Sequence, residues 1–382
     1  MPHIHWVGTG LSAIPGIKQL IKNGHNITIW NRTVEKAKLS LKDLNPEILE
    51  FSIEALTLSL EANDILISML PGDWHVPLAK ICLQKRANFV SSSYIAPEML
   101  QLNTDFKNAN LACINEVGLD PGIDHSMAHF LVNDLKKSVR NKDISIDFIS
   151  YCGGVPKIPN PFRYKFSWSP AGVLKALKSP SKSIKNGEVW NVDRPWDAIT
   201  RYTAPLPEPE EFEVYPNRDS LPFIKQYHFD PDWQINQFVR GTLRLDGWAK
   251  AWSNVFAEIE SLSFPDGDTR LQEMSDEFWA ANAYEENEPD RVILCVSLSA
   301  ESNSQKLYHK SYVLDAWGNH ESSAMARLVS IPVATAVEAI KNGDIKSGVT
   351  SAPDTPDLVE RWMKMVNSLS QHLEIIDHLQ QN

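Results

Sequence analysis

The stretch HIHWVGTGLSA, His3 to Ala13, decides how the first third of this chain is read. His3 to Val7 has the pattern of a strand, and Gly8-Thr9-Gly10-Leu11-Ser12-Ala13 fits G-x-G-x-x-A. The first glycine of that pattern permits a tight turn, and the second lets a pyrophosphate approach the backbone. The small third residue seats the following helix against the sheet. Alone the match is weak, because a strand-to-helix turn can also bind nothing. Here it follows a strand, opens a helix that runs to Lys22 and is stopped by Gly24, and heads a series of further strand and helix signals. That context points to dinucleotide binding.

Ile27 to Trp30, Asp64 to Ser68, Ala87 to Val90 and Leu111 to Ile114 continue the alternation of strand and helix. The expected fold class is α/β: an N-terminal Rossmann-type parallel sheet covered on both faces, with its ligand at the carboxyl ends of the strands. The tip of the second strand reads Asn31-Arg32-Thr33, followed by Lys36. An NAD site places an acid there for the ribose 2′-hydroxyl. With no acid and an arginine present, a 2′-phosphate is better accommodated, which favours NADP (as NADPH). The alternative is that Arg32 is a solvated surface charge.

From about Ile144 the pattern changes. ISIDFIS, VILCVSLS (Val292 to Ser299) and KSYVLDAWG (from Lys310) alternate apolar and polar residues, as half-solvated strands do. They predict a second, mixed α/β domain for substrate binding and dimerisation. LRLDGWAKAWSNVFAEIESL and LQEMSDEFWAANAYEE have helical spacing and bulky aromatics, which predicts a small helical subdomain. AMARLVSIPVATAVEAI is a buried helix ended by Asn342-Gly343, and a last helix starts near Thr355-Pro356-Asp357. Both helices are expected to return to the first domain. The expected boundaries are 1–121 plus 322–382, 122–240 plus 286–321, and 241–285 for the helical insertion.

The chain has 382 residues, too many for one small core, with 37 Lys plus Arg against 48 Asp plus Glu and a net charge of -11. That balance argues against a nucleic-acid partner, which needs a basic face. Cys82, Cys113, Cys152 and Cys295 follow no C-x-x-C spacing, so neither a disulfide framework nor a structural zinc site is expected, and a reducing cytoplasm is the default. No leader pattern and no membrane-spanning apolar stretch is evident, so no membrane partner is expected.

NEVGLDPGIDHSMAH, Asn115 to His129, admits three readings. As a helix start, Asp120 is the N-cap and Pro121 stands in the first turn, ahead of an apolar face of Ile123, Met127, Phe130 and Leu131. As a metal site it is poor. His125 and His129 are four apart, but no glutamate follows the first, and no metal is expected. As a catalytic loop it gains weight from its neighbours.

Six separated runs in order resemble the saccharopine reductase family, NADP-dependent and glutamate-forming: VSSSYIAP (Val90 to Pro97), NEVGLDPGIDH (Asn115 to His125), SYCGGVP (Ser150 to Pro156), YKFSWSPAGVLKAL (Tyr164 to Leu177), YPNRDS (Tyr215 to Ser220) and RGTLRLDG (Arg240 to Gly247). The resemblance covers the first 250 residues or so and then fades. It implies that glutamate and 2-aminoadipate 6-semialdehyde are joined as an imine and reduced by NADPH to saccharopine, or the reverse. It places the cofactor against Thr9 to Ser12, Asn31 to Thr33, Ser52, Ile53, Leu70, Ser92, Ser93, Leu119, Asp120, Pro121 and Ser169. It places the substrate against Ser93, Tyr94, Asp120, Arg218, Thr242, Leu243 and Arg244. A small amino-acid substrate with several carboxylates suits arginines, whose planar guanidinium grips a carboxylate with two parallel hydrogen bonds. Arg218, beside Asp219, has a structural ion pair as its alternative. The acid–base candidates are Asp120, Tyr94 and Cys152, of which Cys152 is otherwise packing. The resemblance also implies a homodimer. Competing readings are a carboxynorspermidine-type dehydrogenase, a non-catalytic NADP-binding sensor and, more distantly, a metal hydrolase.

Overall fold

The computed structural model describes residues 2–263 and 266–380, in two compact units: residues 1–126 with 326–366, and residues 127–325 with 367–382. Residues 264–265 of the expected helical insertion and 381–382 of the expected first domain lie outside the described residues.

The strands in chain order begin with β1 (Ile4–Val7), β2 (Ile27–Asn31), β3 (Glu47–Glu50), β4 (Ile65–Ser68), β5 (Asn88–Ser91) and β6 (Ala112–Ile114). Next come β7 (Ser145–Pro156), β8 (Ser181–Lys185), β9 (Glu188–Val192), β10 (Thr200–Ala204), β11 (Glu210–Pro216) and β12 (Gln234–Leu245). The last are β13 (Asp290–Ser302), β14 (Gln305–Trp317), β15 (Gly348–Thr350) and β16 (His372–Asp377).

Among the described residues the first unit carries a seven-stranded sheet in the order β15-β6-β5-β4-β1-β2-β3, with every pair parallel. Strands buried on both faces read as continuous apolar runs, and their two-residue period divides them between two cores. Ile4, Trp6, Ile29, Ile65 and Ile67 face one core, which the helices Ile14–Lys22 and Ala324–Lys341 cover with Ile17, Leu20, Val333 and Val337. Val7, Trp30, Leu66 and Phe89 face the other, beneath Leu56, Leu78, Cys82 and Phe106. This is the doubly wound order 3-2-1-4-5-6, extended by β15, with its switch point between β1 and β4.

The second unit is built on a mixed sheet of order β10-β11-β12-β7-β13-β14-β16, with β8 joined to β12 and β9 to β8. The β12–β7 pair is parallel, and its other neighbours along that order are antiparallel. One face carries Val155, Phe212, Val214, Val239, Leu243, Ile293 and Val313. An aromatic cluster of Tyr164, Phe166, Tyr215, Trp248, Trp252 and Phe256 forms a separate core with the helices Pro170–Leu177, Trp248–Ala251 and Ser253–Ser261.

Three expectations are corrected. Residues 241–245 are the end of β12 rather than the start of the helical insertion, because they pair antiparallel with β11, from Gly241–Pro216 to Leu245–Phe212. His372–Asp377 does not return to the first unit; HLEIID pairs antiparallel with β14 and closes that edge of the second sheet. The helix after Asn115 begins at Ile123, so Asp120 is not its N-cap. Asp120 and Pro121 stand in a turn in which Gly118 N–H donates to the Pro121 carbonyl (2.9 Å), while Asp124 Oδ1 accepts from Gly122 N–H (2.6 Å). Gly122, at φ +147°, allows this close approach, since a Cβ there would overlap the Gly118 carbonyl oxygen.

Candidate functional site

The glycine turn leaves β1 at the switch point of the first sheet. Gly8 adopts φ +98° and donates to the Trp30 carbonyl (2.8 Å); a Cβ there would sit 3.2 Å from the Met69 carbonyl oxygen and 3.3 Å from Leu70. Over Gly10 a Cβ would meet nothing within 4 Å, and Gly10 and Leu11 are exposed, so the turn keeps open space where a pyrophosphate is to lie. Thr9 N–H donates to Asn31 Oδ1 (3.2 Å), and Asn31 Nδ2 donates to the Thr33 carbonyl (2.8 Å). The amide thus ties the glycine turn to the loop after β2, and an aspartate could accept the first bond but not donate the second. Arg32 and Thr33 are exposed, and Arg32 has no side-chain hydrogen bond or ion pair among the described residues. Ser52 caps the helix Ile53–Ser59 by accepting from Ala55 N–H (3.1 Å), and Ile53 is half-buried. These residues fit a dinucleotide with a 2′-phosphate.

At the end of β5, Ser92 Oγ lies 3.9 Å from the Met69 sulfur, and Ser93 Oγ lies 2.7 Å from His75 Nε2. His75 Nδ1 is 3.0 Å from Ser68 Oγ. Burial pushes the His75 imidazole down to about 4, against a smaller opposing pull from Asp73, so it is neutral at pH 7. Tyr94 O–H donates to Asp120 Oδ1 (2.8 Å). Leu119 is buried in the same turn, and Pro121 with it.

The turn is pinned from below. His125 lies between Glu116 Oε2 (3.2 Å from Nε2) and Asp124 Oδ2 (3.2 Å from Nδ1), all three buried. Burial disfavours the imidazolium, but Asp124 and Glu116 outweigh it and raise His125 to about 9. Glu116 Oε1 also accepts from Ile95 N–H (3.0 Å), and Glu116 N–H donates to the Ser93 carbonyl (3.1 Å). Among the described residues no group of three or more His, Cys, Asp or Glu is placed to hold a metal ion.

In the second unit, Cys152 on β7 is directly opposite Thr242 on β12, with Tyr215 on β11 across from Thr242 on the other side. Arg244 is two residues further along β12 and therefore on the same face. It is 5% exposed, and its guanidinium is 4.8 Å from the ring of Tyr164, 5.4 Å from Trp248 and 5.8 Å from Tyr215. Its Nη1 donates to the Leu243 carbonyl (3.4 Å), and Nε has no hydrogen-bond partner among the described residues. The carboxylate opposite it in register, Glu213, is engaged elsewhere: its two oxygens accept from Gly247 N–H (3.1 Å) and Ala249 N–H (2.7 Å). Arg244 is thus a buried cation with no carboxylate partner among the described residues, and buried cations are ordinarily paired.

The other expected residues lie off this strip. The Leu243 side chain packs into the core on the opposite face, so it can offer a ligand main-chain atoms alone. Arg218 is exposed at a positive-φ position (φ +57°) after β11. Ser169 caps the helix Pro170–Leu177 by accepting from Gly172 N–H (3.1 Å). His75, Glu116 and the ring enclosure of Arg244 are not among the residues the sequence singles out. His75 had one usable signal, a histidine just beyond a Rossmann strand end. The enclosure had none, because Tyr164, Tyr215 and Trp248 are far apart in the chain.

Residues 4–114 match the sequence family described as saccharopine dehydrogenase NADP binding domain, and residues 118–370 match saccharopine dehydrogenase C-terminal domain. The chain is 28% identical to saccharopine dehydrogenase (NADP(+), L-glutamate-forming) of Saccharomyces cerevisiae, over 94% of this chain and 95% of that one. It is 33% identical to the protein of the same name from Pyricularia oryzae, over 67% of this chain and 57% of that one. It is 27% identical to the mitochondrial alpha-aminoadipic semialdehyde synthase of Mus musculus, of whose length it spans 45%. Among solved structures, apo saccharopine dehydrogenase (L-Glu forming) from Saccharomyces cerevisiae superposes with a TM-score of 0.80 at 25% identity, covering 99% of this chain and 100% of that one. Homospermidine synthase from Legionella pneumophila shares the fold at a TM-score of 0.61 and 12% identity.

Proposed function

The chain belongs to the saccharopine dehydrogenase family, and from that membership we propose that it catalyses the NADP(H)-dependent interconversion of saccharopine with L-glutamate and L-2-aminoadipate 6-semialdehyde, as a homodimer, in lysine metabolism. The observation that carries the substrate class is Arg244: a buried guanidinium in a ring of aromatics, with its cross-strand carboxylate engaged elsewhere, invites a carboxylate from a ligand. Arg218 supplies a second cation for a substrate with three carboxylates. Condensation of the glutamate amine with the aldehyde expels water and forms an imine. Bound NADPH supplies the hydride that reduces the imine carbon. Asp120, with Tyr94 donating to Oδ1, handles the proton at the substrate nitrogen, and Thr242 and Cys152 lie on the Arg244 face for the remaining polar contacts.

The diamine-condensing alternative needs carboxylates to hold ammonium groups. Glu213 is the acid best placed beside Arg244, and both its oxygens are committed to the helix Trp248–Ala251. The test follows NADPH oxidation with glutamate plus 2-aminoadipate semialdehyde, beside aspartate semialdehyde plus 1,3-diaminopropane. Turnover is expected with the first pair, and turnover with the second pair alone would overturn the proposal.

A further inference from the structure

We propose that His75 is a positioning residue, holding the Ser93 hydroxyl beyond the end of β5 in the orientation in which it meets the nicotinamide half of NADP(H); this rests on the reading of Ser93 given above. The ring spans two hydroxyls on neighbouring strand ends, with Nδ1 3.0 Å from Ser68 Oγ and Nε2 2.7 Å from Ser93 Oγ. Strands β4 and β5 are already paired from Ile65–Asn88 to Ser68–Ser91, so the sheet needs no histidine to join them. Ser93 lies two residues beyond the last pair, where its hydroxyl has no ladder to hold it.

A neutral imidazole offers one donor and one acceptor nitrogen, and a hydroxyl can answer either. At 4% exposure both nitrogens must be satisfied, which fixes the ring, and the Phe89 ring, packed edge-to-face with its centroid 6.2 Å away, limits its swing. With one hydrogen-bonding direction committed to His75, Ser93 has its remaining capacity aimed at a ligand. Asp73 is the charged group that acts on the ring, and His75 itself stays uncharged at neutral pH. His75 also opens the helix His75–Lys85, so its backbone is set by the fold rather than by the ligand.

The experiment measures affinities for NADPH and for 2′,5′-ADP, which lacks the nicotinamide half, so no readout depends on the amino-acid substrate. His75→Phe is expected to weaken NADPH about fivefold, the worth of one hydrogen bond, and to leave 2′,5′-ADP unchanged. In a Ser93→Ala background, His75→Phe should add nothing, because the two act as one unit. His75→Gln, whose amide nitrogen stands near the Nε2 position, should bind NADPH more tightly than His75→Asn, which reaches Ser68 alone; this comparison serves if the phenylalanine variant does not fold. Equal losses of both ligands, multiplicative effects of His75→Phe and Ser93→Ala, or equal affinities of the glutamine and asparagine variants would each overturn the proposal. Absence of turnover with glutamate and the semialdehyde would overturn the functional reading and leave this test intact.

Discussion

Two buried cations have opposite relations to their surroundings. Arg244 has aromatic rings and no acid among the described residues, so its burial costs the fold something, which on the function proposed above a substrate carboxylate would return. Arg244→Met is therefore expected to raise KM for the carboxylate substrates about 10- to 100-fold, the range of a charged hydrogen-bonded contact, while NADPH affinity holds. The same variant should unfold at no lower urea concentration than the parent, since a thioether chain suits the aromatic pocket. A large drop in that midpoint with KM unchanged would assign the arginine to structure instead. His125 is the reverse case, an imidazolium paired on both sides by Glu116 and Asp124. Its folded-state value, about 9, lies above the ordinary 6.5, so the folded protein binds the extra proton between those limits. The stability it contributes is complete below pH 6.5 and is lost as pH rises through about 9. Urea midpoints should fall across that window in the parent and not in His125→Gln; parallel slopes would show that another group titrates there.

The helix Ile14–Lys22 meets the helix Ala324–Lys341 at Gly16, whose N–H donates to Ser330 Oγ (2.9 Å). A Cβ at Gly16 would overlap the Ser330 carbonyl oxygen and reach 2.8 Å from the Trp6 ring. Gly16→Ala gains about 1 kcal/mol of helix propensity but forces the two helices apart, and overpacking of this kind costs about 1–3 kcal/mol. A lowered urea midpoint is expected, and a raised one would mean the interface yields without cost. Such pairings mark the limit of what the sequence discloses. Strands β1, β2, β4, β5 and β6 were legible because burial on both faces writes continuous apolar runs. EILE at β3 was not, being largely exposed at the sheet edge, and the short hairpin β8–β9 carries mostly polar residues. The glycine turn was legible from spacing, whereas the contact of Asn31 with Thr9 depends on strand neighbours 22 residues apart. HLEIID does not disclose its place, because its partner, β14, is set by tertiary pairing and leaves no local mark.

At the scale of the whole chain, the first unit is assembled from both ends of the sequence. Residues 326–366 give its core Val333, Ala334, Val337 and Trp362, and β15 pairs in parallel with β6 through Gly348–Ala112 to Thr350–Ile114. Without them, Ile4, Trp6, Ile29, Ile65 and Ile67 on one sheet face would lie bare, and β6 would become an open edge. An exposed apolar face beside an unpaired strand edge promotes aggregation rather than independent folding. Residues 1–126 expressed alone are therefore expected to be insoluble, or to melt without cooperativity, although they carry every cofactor-binding residue assigned to the first unit. Joining residues 324–369 to that fragment through a flexible linker should restore a cooperative transition and 2′,5′-ADP binding, because it returns both the covering helices and the seventh strand. A cooperative melt with 2′,5′-ADP affinity from residues 1–126 alone would show that the six N-terminal strands suffice, and that β15 and its helices are an addition to a complete nucleotide-binding fold.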